Sequence, residues 1–310
     1  MSAPWCLRDG GKGGSRKEAP METHTFSNGA DGPVVVGTDG SAGAAPAVLW
    51  AAEEAAARNR PLHIVHATGI DDWGGGLSSD AVRLILDAAP GLVDQAAKQA
   101  TDRVPDLQVT TAVSQDSATV SLLQAAGEDG TIVVGSRGLG GFSALLLGSV
   151  GLRTAARAQG PVVVVRGAEQ PSTGSVVAGV RDERDLDAVR FAATTAGHRK
   201  ASLRLLSAWT YSQYAESMVP MVEAVREVAE AAATASARIV DSVREEFPDL
   251  SVTDDVVRVP SPAGALVEAS AHADLLVVAR KPRQPVGAAL GRVTHAVLHH
   301  AHCPVAVIPR

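Results

Sequence analysis

The sequence predicts an α/β protein made of two tandem copies of one domain, each a parallel sheet with helices packed on its faces. Two observations carry this. Short continuous β-branched runs alternate with longer Ala-rich amphipathic stretches, the pattern of strands buried on both faces by crossover helices. Four segments then recur in the same order at offsets of 141 to 144 residues. Val34-Val35-Val36-Gly37 returns as Val176-Val177-Ala178-Gly179, and Leu62 to Ala67 (LHIVHA) returns as Leu203 to Ala208 (LRLLSA). Ile132-Val133-Val134-Gly135 returns as Leu276-Val277-Val278-Ala279, and Pro161 to Arg166 (PVVVVR) as Pro304 to Arg310 (PVAVIPR). Offsets this nearly constant mark a duplication.

In the first copy, strands are expected near 33–37, 62–67, 108–113, 131–135 and 161–165, with helices near 43–58, 79–103, 117–128 and 149–158. The second of these helices is expected to be interrupted around Pro90. Arg60-Pro61 closes the first helix, and Gly160-Pro161 ends the one before the last strand. In the second copy, strands are expected near 175–179, 203–208, 251–258, 274–279 and 304–308, with a long helix near 216–246. The domains divide as 33–167 and 175–310, with 168–174 as a polar linker rich in turn residues. Residues 1–32 read as a disordered leader, since MSAPWCLRDGGKGGSRKEAP lacks the apolar centre of a secretion signal; Met21 is as good a start as Met1.

With 45% hydrophobic and 20% charged residues in 310, the composition is that of a soluble globular protein and excludes global disorder, collagen and coiled coil. Lys and Arg number 28 against 34 Asp and Glu, a net charge of -6, so nucleic acid is not an expected partner. Cys6 and Cys303 have no CxxC spacing, which fits a reducing cytoplasm. No apolar stretch approaches the roughly 20 residues of a membrane span, and no membrane partner is expected.

In open parallel sheets, ligands bind beyond the carboxyl ends of the strands, where the strand order reverses. After the first strand comes Gly37-Thr38-Asp39-Gly40-Ser41, and after the fourth comes Gly135-Ser136-Arg137-Gly138-Leu139-Gly140-Gly141, leading to Gly148-Ser149-Val150. Backbone N–H groups approach a phosphate closely only where no Cβ intervenes, and a helix starting at Gly148-Ser149 adds free amides and the positive end of its dipole. Asp39, with acceptors only, suits ribose hydroxyls or an adenine amino group. The run is neither a Walker A motif nor the dinucleotide fingerprint, and a Gly-rich turn before a helix also occurs without any ligand.

At these residues the chain resembles the universal stress proteins, whose ATP-binding signature is matched by Gly135-x2-Gly138-x9-Gly148-Ser149. The resemblance covers the first copy throughout and makes the chain look like a tandem-domain member. It implies two Rossmann-like domains with sheets of order 3-2-1-4-5, so that Asp39 faces Gly135 across the switch point. It also implies that Asp39 and the backbone at Ala67 border adenine and ribose, that Gly135, Arg137 and Gly138 line ribose and phosphates, and that Gly148 with Ser149 holds the phosphate tail, usually with Mg²⁺. Gly37, Ser136 and Val150 complete the candidate ATP-binding set.

The second copy departs at these positions. Arg181 stands in place of Asp39, Ala279 in place of Gly135, Pro282 in place of Gly138 and Arg292 in place of Ser149. Arg cannot accept a hydrogen bond and Pro has no N–H to offer, so this copy is expected to bind ATP weakly or not at all. Arg280, Lys281, Arg283 and Arg292 read as a solvated basic edge, with attraction of an anion as the alternative.

Other candidates are weaker. His295 and His299 share a helical face and, with His302 and Cys303, invite a metal reading, but they lie where the last helix turns into the last strand, and no metal site is assigned. His66 reads as a hydrogen-bonded core histidine. Asp71-Asp72-Trp73-Gly74-Gly75-Gly76 is a lid over the nucleotide or a plain surface loop. The apolar last strands of the two copies are expected to pair with each other as a pseudo-dimer; a homodimer through Leu145-Leu146-Leu147 stays open.

The resemblance therefore implies a cytoplasmic stress-response protein whose first domain binds ATP, with the nucleotide ordering the 136–147 loop and changing the surface offered to a regulatory protein partner. No catalytic residue is assigned, and at most slow hydrolysis is expected, because metal-holding acids and a nucleophile-orienting group are not apparent. The alternatives are a slow ATPase or phosphotransferase, and an interaction scaffold that binds no nucleotide.

Overall fold

The structure is a computed structural model that describes residues 32–73, 76–136, 138, 147–167, 171–210, 218–281 and 290–310, with the side chains of 218–224 also left aside. The first half runs β1 (Val34–Gly37), α1 (Ala45–Ala57), β2 (Leu62–Ala67), α2 (Ser79–Arg103), β3 (Val109–Ser114), α3 (Ala118–Ala126), β4 (Thr131–Gly135), α4 (Ser149–Arg157) and β5 (Val162–Val165). The second runs β6 (Ser175–Gly179), α5 (Leu186–Arg199), β7 (Ser202–Trp209), α6 (Met218–Glu246), β8 (Val252–Arg258), α7 (Pro262–Ala269), β9 (Leu275–Arg280), α8 (Arg292–His300) and β10 (Val305–Pro309). Sequence reading assigned a range only to α6 among the helices of the second half. Helices α5, α7 and α8 occupy the places of α1, α3 and α4.

All ten strands form one sheet of order β3-β2-β1-β4-β5-β10-β9-β6-β7-β8, so each half has the order 3-2-1-4-5. Pairing is parallel within each half. Where the halves meet, β10 runs antiparallel to β5, with Val305 opposite Val164 and Val307 opposite Val162. All four residues of β5 are buried, so the apolar edge of each copy is covered by the other.

Alternate side chains of the strands feed two cores, one on each face of the sheet. Val34, Val36 and Ile64 pack beneath α1 and α2 and share a cluster with Phe191, Leu203 and Ile239 of the second half. Val35, Ile132 and Val134 point the other way, into a cluster with Leu122, Leu276 and Leu298. Both cores are continuous across the seam. Among the described residues, no helix is long and apolar enough to cross a membrane.

The expected break at Pro90 is absent: α2 is one helix through that residue. Proline removes the bond to the carbonyl of Leu86 and crowds that turn, but Pro90 is exposed, on the solvent side of the helix. Meanwhile Ala89, Val93, Ala96 and Ala100 hold both halves of α2 onto the core.

Across the seam, α1 and α5 meet around a buried carboxylate that the sequence did not flag. Glu54, 1% exposed, accepts from Arg58 Nε at 2.6 Å and from Arg199 of α5 at 3.2 Å. Each arginine also lies over the other helix's aromatic ring, Arg58 on Phe191 at 4.5 Å and Arg199 on Trp50 at 4.9 Å. Trp50 and Phe191, Glu54 and Thr195, and Arg58 and Arg199 are counterparts at the 141-residue offset. The contact is thus a pseudo-twofold one with a single carboxylate near its axis.

Candidate functional site

Strand β1 lies between β2 and β4, and the chain leaves β1 toward α1 on one face of the sheet and β4 toward α4 on the other, so a crevice opens beyond their carboxyl ends. Hydrogen bonding continues past the strand ends and fixes both loops there. Thr38 N–H donates to Val65 at 3.0 Å, and Ser136 N–H donates to Val165 at 2.8 Å. The turn after β1 is then tightened by its own side chains. Asp39 Oδ1 accepts from Ser41 N–H at 3.0 Å, Thr38 Oγ1 accepts from Gly40 N–H at 3.2 Å, and Gly40 takes φ +74°, the left-handed region that glycine tolerates.

The second loop closes on itself. Gly148 N–H donates to the carbonyl of Ser136 at 2.8 Å, which brings the end of β4 against the start of α4. Gly148 is the N-cap of α4 and provides no side-chain cap, leaving the first-turn amides of Ser149, Val150 and Gly151 to other partners. Gly138 lies against Asp39: a Cβ added to it would overlap the carboxylate oxygen Oδ2. Ser41 Oγ, on the turn after β1, is buried with no hydrogen-bond partner among the described residues.

Of the residues expected from sequence, Gly37, Asp39, Gly135, Ser136, Gly138, Gly148, Ser149 and Val150 all fall on these two facing loops and strand ends, with Ala67 ending the adjacent β2. Arg137 lies outside the described residues. So do Leu145 and Leu146, whereas Leu147 is buried and packs inside the domain core. The 3₁₀ turn Ile70–Trp73 follows β2 on the same edge and carries Trp73, 63% exposed. Gly74 and Gly75 are outside the described residues.

His66, read from sequence as a hydrogen-bonded histidine, is hydrogen-bonded, to a partner the sequence did not specify. Its Nδ1 lies 2.9 Å from the carbonyl of Thr38; a carbonyl only accepts, so the proton is on Nδ1 and the ring braces the loop that carries Asp39. Its place near the end of β2 does not by itself identify the carbonyl it meets.

In the second half, Arg181 spans the matching switch point. It donates to both oxygens of buried Asp185, at 2.9 and 3.1 Å, and to the carbonyl of Ala279 at 3.2 Å. Arg310 from the chain terminus reaches the same Asp185 at 2.6 Å and Asp182 at 3.2 Å. Hydrogen bonding to Arg184, helped by Arg310, holds the Asp182 carboxyl below the ordinary 3.8 despite some burial. Arg280, read from sequence as part of a solvated edge, is instead 7% exposed: it donates to the carbonyls of Ala156 at 2.9 Å and Ala158 at 2.6 Å, capping the C-terminus of α4 in the other half. Lys281 and Arg292 are exposed, and Pro282 and Arg283 are outside the described residues.

On α8 the His295 and His299 rings lie 4.5 Å apart, tilted by 36°. Cys303 is buried, and burial pushes its thiol up to about 12, which disfavours the thiolate a metal would need. Among the described residues, no three His, Cys, Asp or Glu side chains converge in a way that would hold a metal.

The family model described as the universal stress protein family matches this chain twice, at residues 32–166 and 173–309. A universal stress protein of Mycobacterium tuberculosis is 30% identical over 291 residues, covering 88% of this chain and 96% of that protein. One from Mycolicibacterium smegmatis is 30% identical over 286 residues, covering 89% and 96%. The crystal structure of a universal stress protein from Archaeoglobus fulgidus superposes with a TM-score of 0.64 at 15% identity, over 92% of this chain and 99% of that one, a likeness of fold. With its sheet order repeated in both halves and the family's domain matched twice, the chain belongs to the universal stress protein family.

Proposed function

We propose that the first half of this chain binds ATP and that the protein acts as a nucleotide-responsive regulator or adaptor in a stress response. The observation that carries the reading is the approach of Asp39 to the bare Cα of Gly138, on loops closed by the bond from Gly148 to Ser136. That arrangement supports a ligand with a hydrogen-bond-donating end at Asp39 and an anionic end at the amides of Ser149 and Val150.

Mg²⁺ would ride on the phosphates and keep water as its remaining ligands, because the described residues offer it no acidic cluster. Hydrolysis would then be slow. Regulation would follow from population shift: nucleotide favours one arrangement of the surface around Asp39, Gly138 and Ser149, and a protein partner reads it.

The test is equilibrium ATP binding by wild type, Asp39→Ala and Gly138→Pro, together with analysis of nucleotide carried by the purified protein. The proposal expects bound adenine nucleotide in the wild type and a loss of affinity in both variants. Unchanged binding in both would remove the site.

A further inference from the structure

The second half keeps a cavity at its own switch point, of about 270 Å³, walled by Leu206, Leu266, Val278 and Val293. Lys281 and Arg292 stand at its rim, and Thr294 of α8 also lines it. We propose that this cavity binds a small amphiphilic organic acid, its apolar body against the sheet and its single anionic head at the start of α8, and does not bind a nucleotide.

The head is specified by charge. Gly291 is the N-cap of α8 and supplies no side-chain cap, so the first-turn amides face the cavity mouth with the positive end of the helix dipole. Lys281 and Arg292 add two full charges, and no acidic residue is among the described residues that line the cavity. Arg181 contributes less, because Asp185 pairs with it.

The body is specified by the walls. Four branched aliphatic side chains with Ala208, Ala279 and Pro262 leave little for a sugar or a base edge to bond to. The acceptor that Asp39 supplies in the first half is replaced by Arg181, whose guanidinium is a donor and is already engaged with Asp185 and Ala279. At roughly 30 Å³ per water-sized group, the volume corresponds to about nine such groups, the size of a short-chain acid.

The proposal concerns a different cavity from the ATP reading and stands or falls separately. Octanoate is the probe, with 1-octanol and octylamine as chains of equal length lacking the anion, each titrated into the full-length protein and followed by methyl NMR. Octanoate is expected to shift the resonances of Leu206, Leu266, Val278 and Val293 and to bind about tenfold more tightly than either control. Arg292→Glu, an exposed change, is expected to weaken octanoate about tenfold, and Leu266→Trp to block it by filling the cavity. Equal binding of the three probes, no binding at millimolar octanoate, octanoate affinity unchanged in the double variant Lys281→Glu with Arg292→Glu, or displacement of octanoate from these methyls by Mg-ATP would each overturn the proposal.

Discussion

The carboxylate of Asp39 occupies the space into which a side chain on Gly138 would project. Gly138→Ala therefore pushes the carboxylate aside without touching either core. Its expected result is a folded protein with ATP affinity reduced by about tenfold, corresponding to about 1.4 kcal/mol, measured by calorimetric titration. Retained affinity would mean that the approach of these two residues has no part in binding.

Glu54 joins the two halves from a site that is almost fully buried. Glu54→Ala leaves Arg58 and Arg199 facing one another with no anion between them, and is expected to cost about 3 kcal/mol in urea denaturation. The exposed pair of Glu53 and Arg103 provides the control: Glu53→Ala is expected to change stability by less than about 1 kcal/mol. Equal effects of the two substitutions would show that burial of Glu54 confers nothing.

Pro90 is carried inside a continuous helix at an exposed position. Pro90→Ala restores the bond to Leu86 and relieves the ring's contact with that turn. A rise in stability of up to about 3 kcal/mol is expected, seen as a higher urea midpoint at constant slope.

Burial, reinforced by His295, His300 and Arg166, holds the pKa of His299 below the ordinary 6.5. Above 6.5 the residue is neutral both folded and unfolded. As the pH falls below that value, the unfolded chain takes up a proton that the folded one resists, so stability declines until the folded pKa is reached. His299→Gln is expected to flatten this decline, as followed by melting temperature between pH 7 and 5. An identical pH profile for the two proteins would contradict it.

The sheet and the gathering of the first-half candidate residues at one edge were legible because both are written in local pattern. The β-branched runs and their offsets identify ten strands, and Gly135, Gly138 and Gly148 are close enough in sequence for one loop to gather them. What escaped depends on distant or featureless partners. Arg280 looks like a surface cation until the carbonyls of Ala156 and Ala158, more than 120 residues earlier, come to it, and a backbone carbonyl has no sequence signature. The loss of an acceptor at Arg181 was readable from residue type, but its anchoring was not, because Asp185 is shared with Arg310 at the other end of the domain. Glu54 sits on a helix where a charge ordinarily marks the solvent side, and only the packing of α5 buries it.

Because β5 and β10 run antiparallel while all other neighbours run parallel, the strands of one half point up when those of the other point down. The two crevices consequently open toward opposite poles of the molecule, four strand spacings or roughly 20 Å apart along the sheet. Neither occupant can obstruct the other, and a macromolecule docking over one mouth leaves its opposite number exposed. The antiparallel seam thus gives the molecule two separate ends, each carrying the carboxyl edge of one half-sheet.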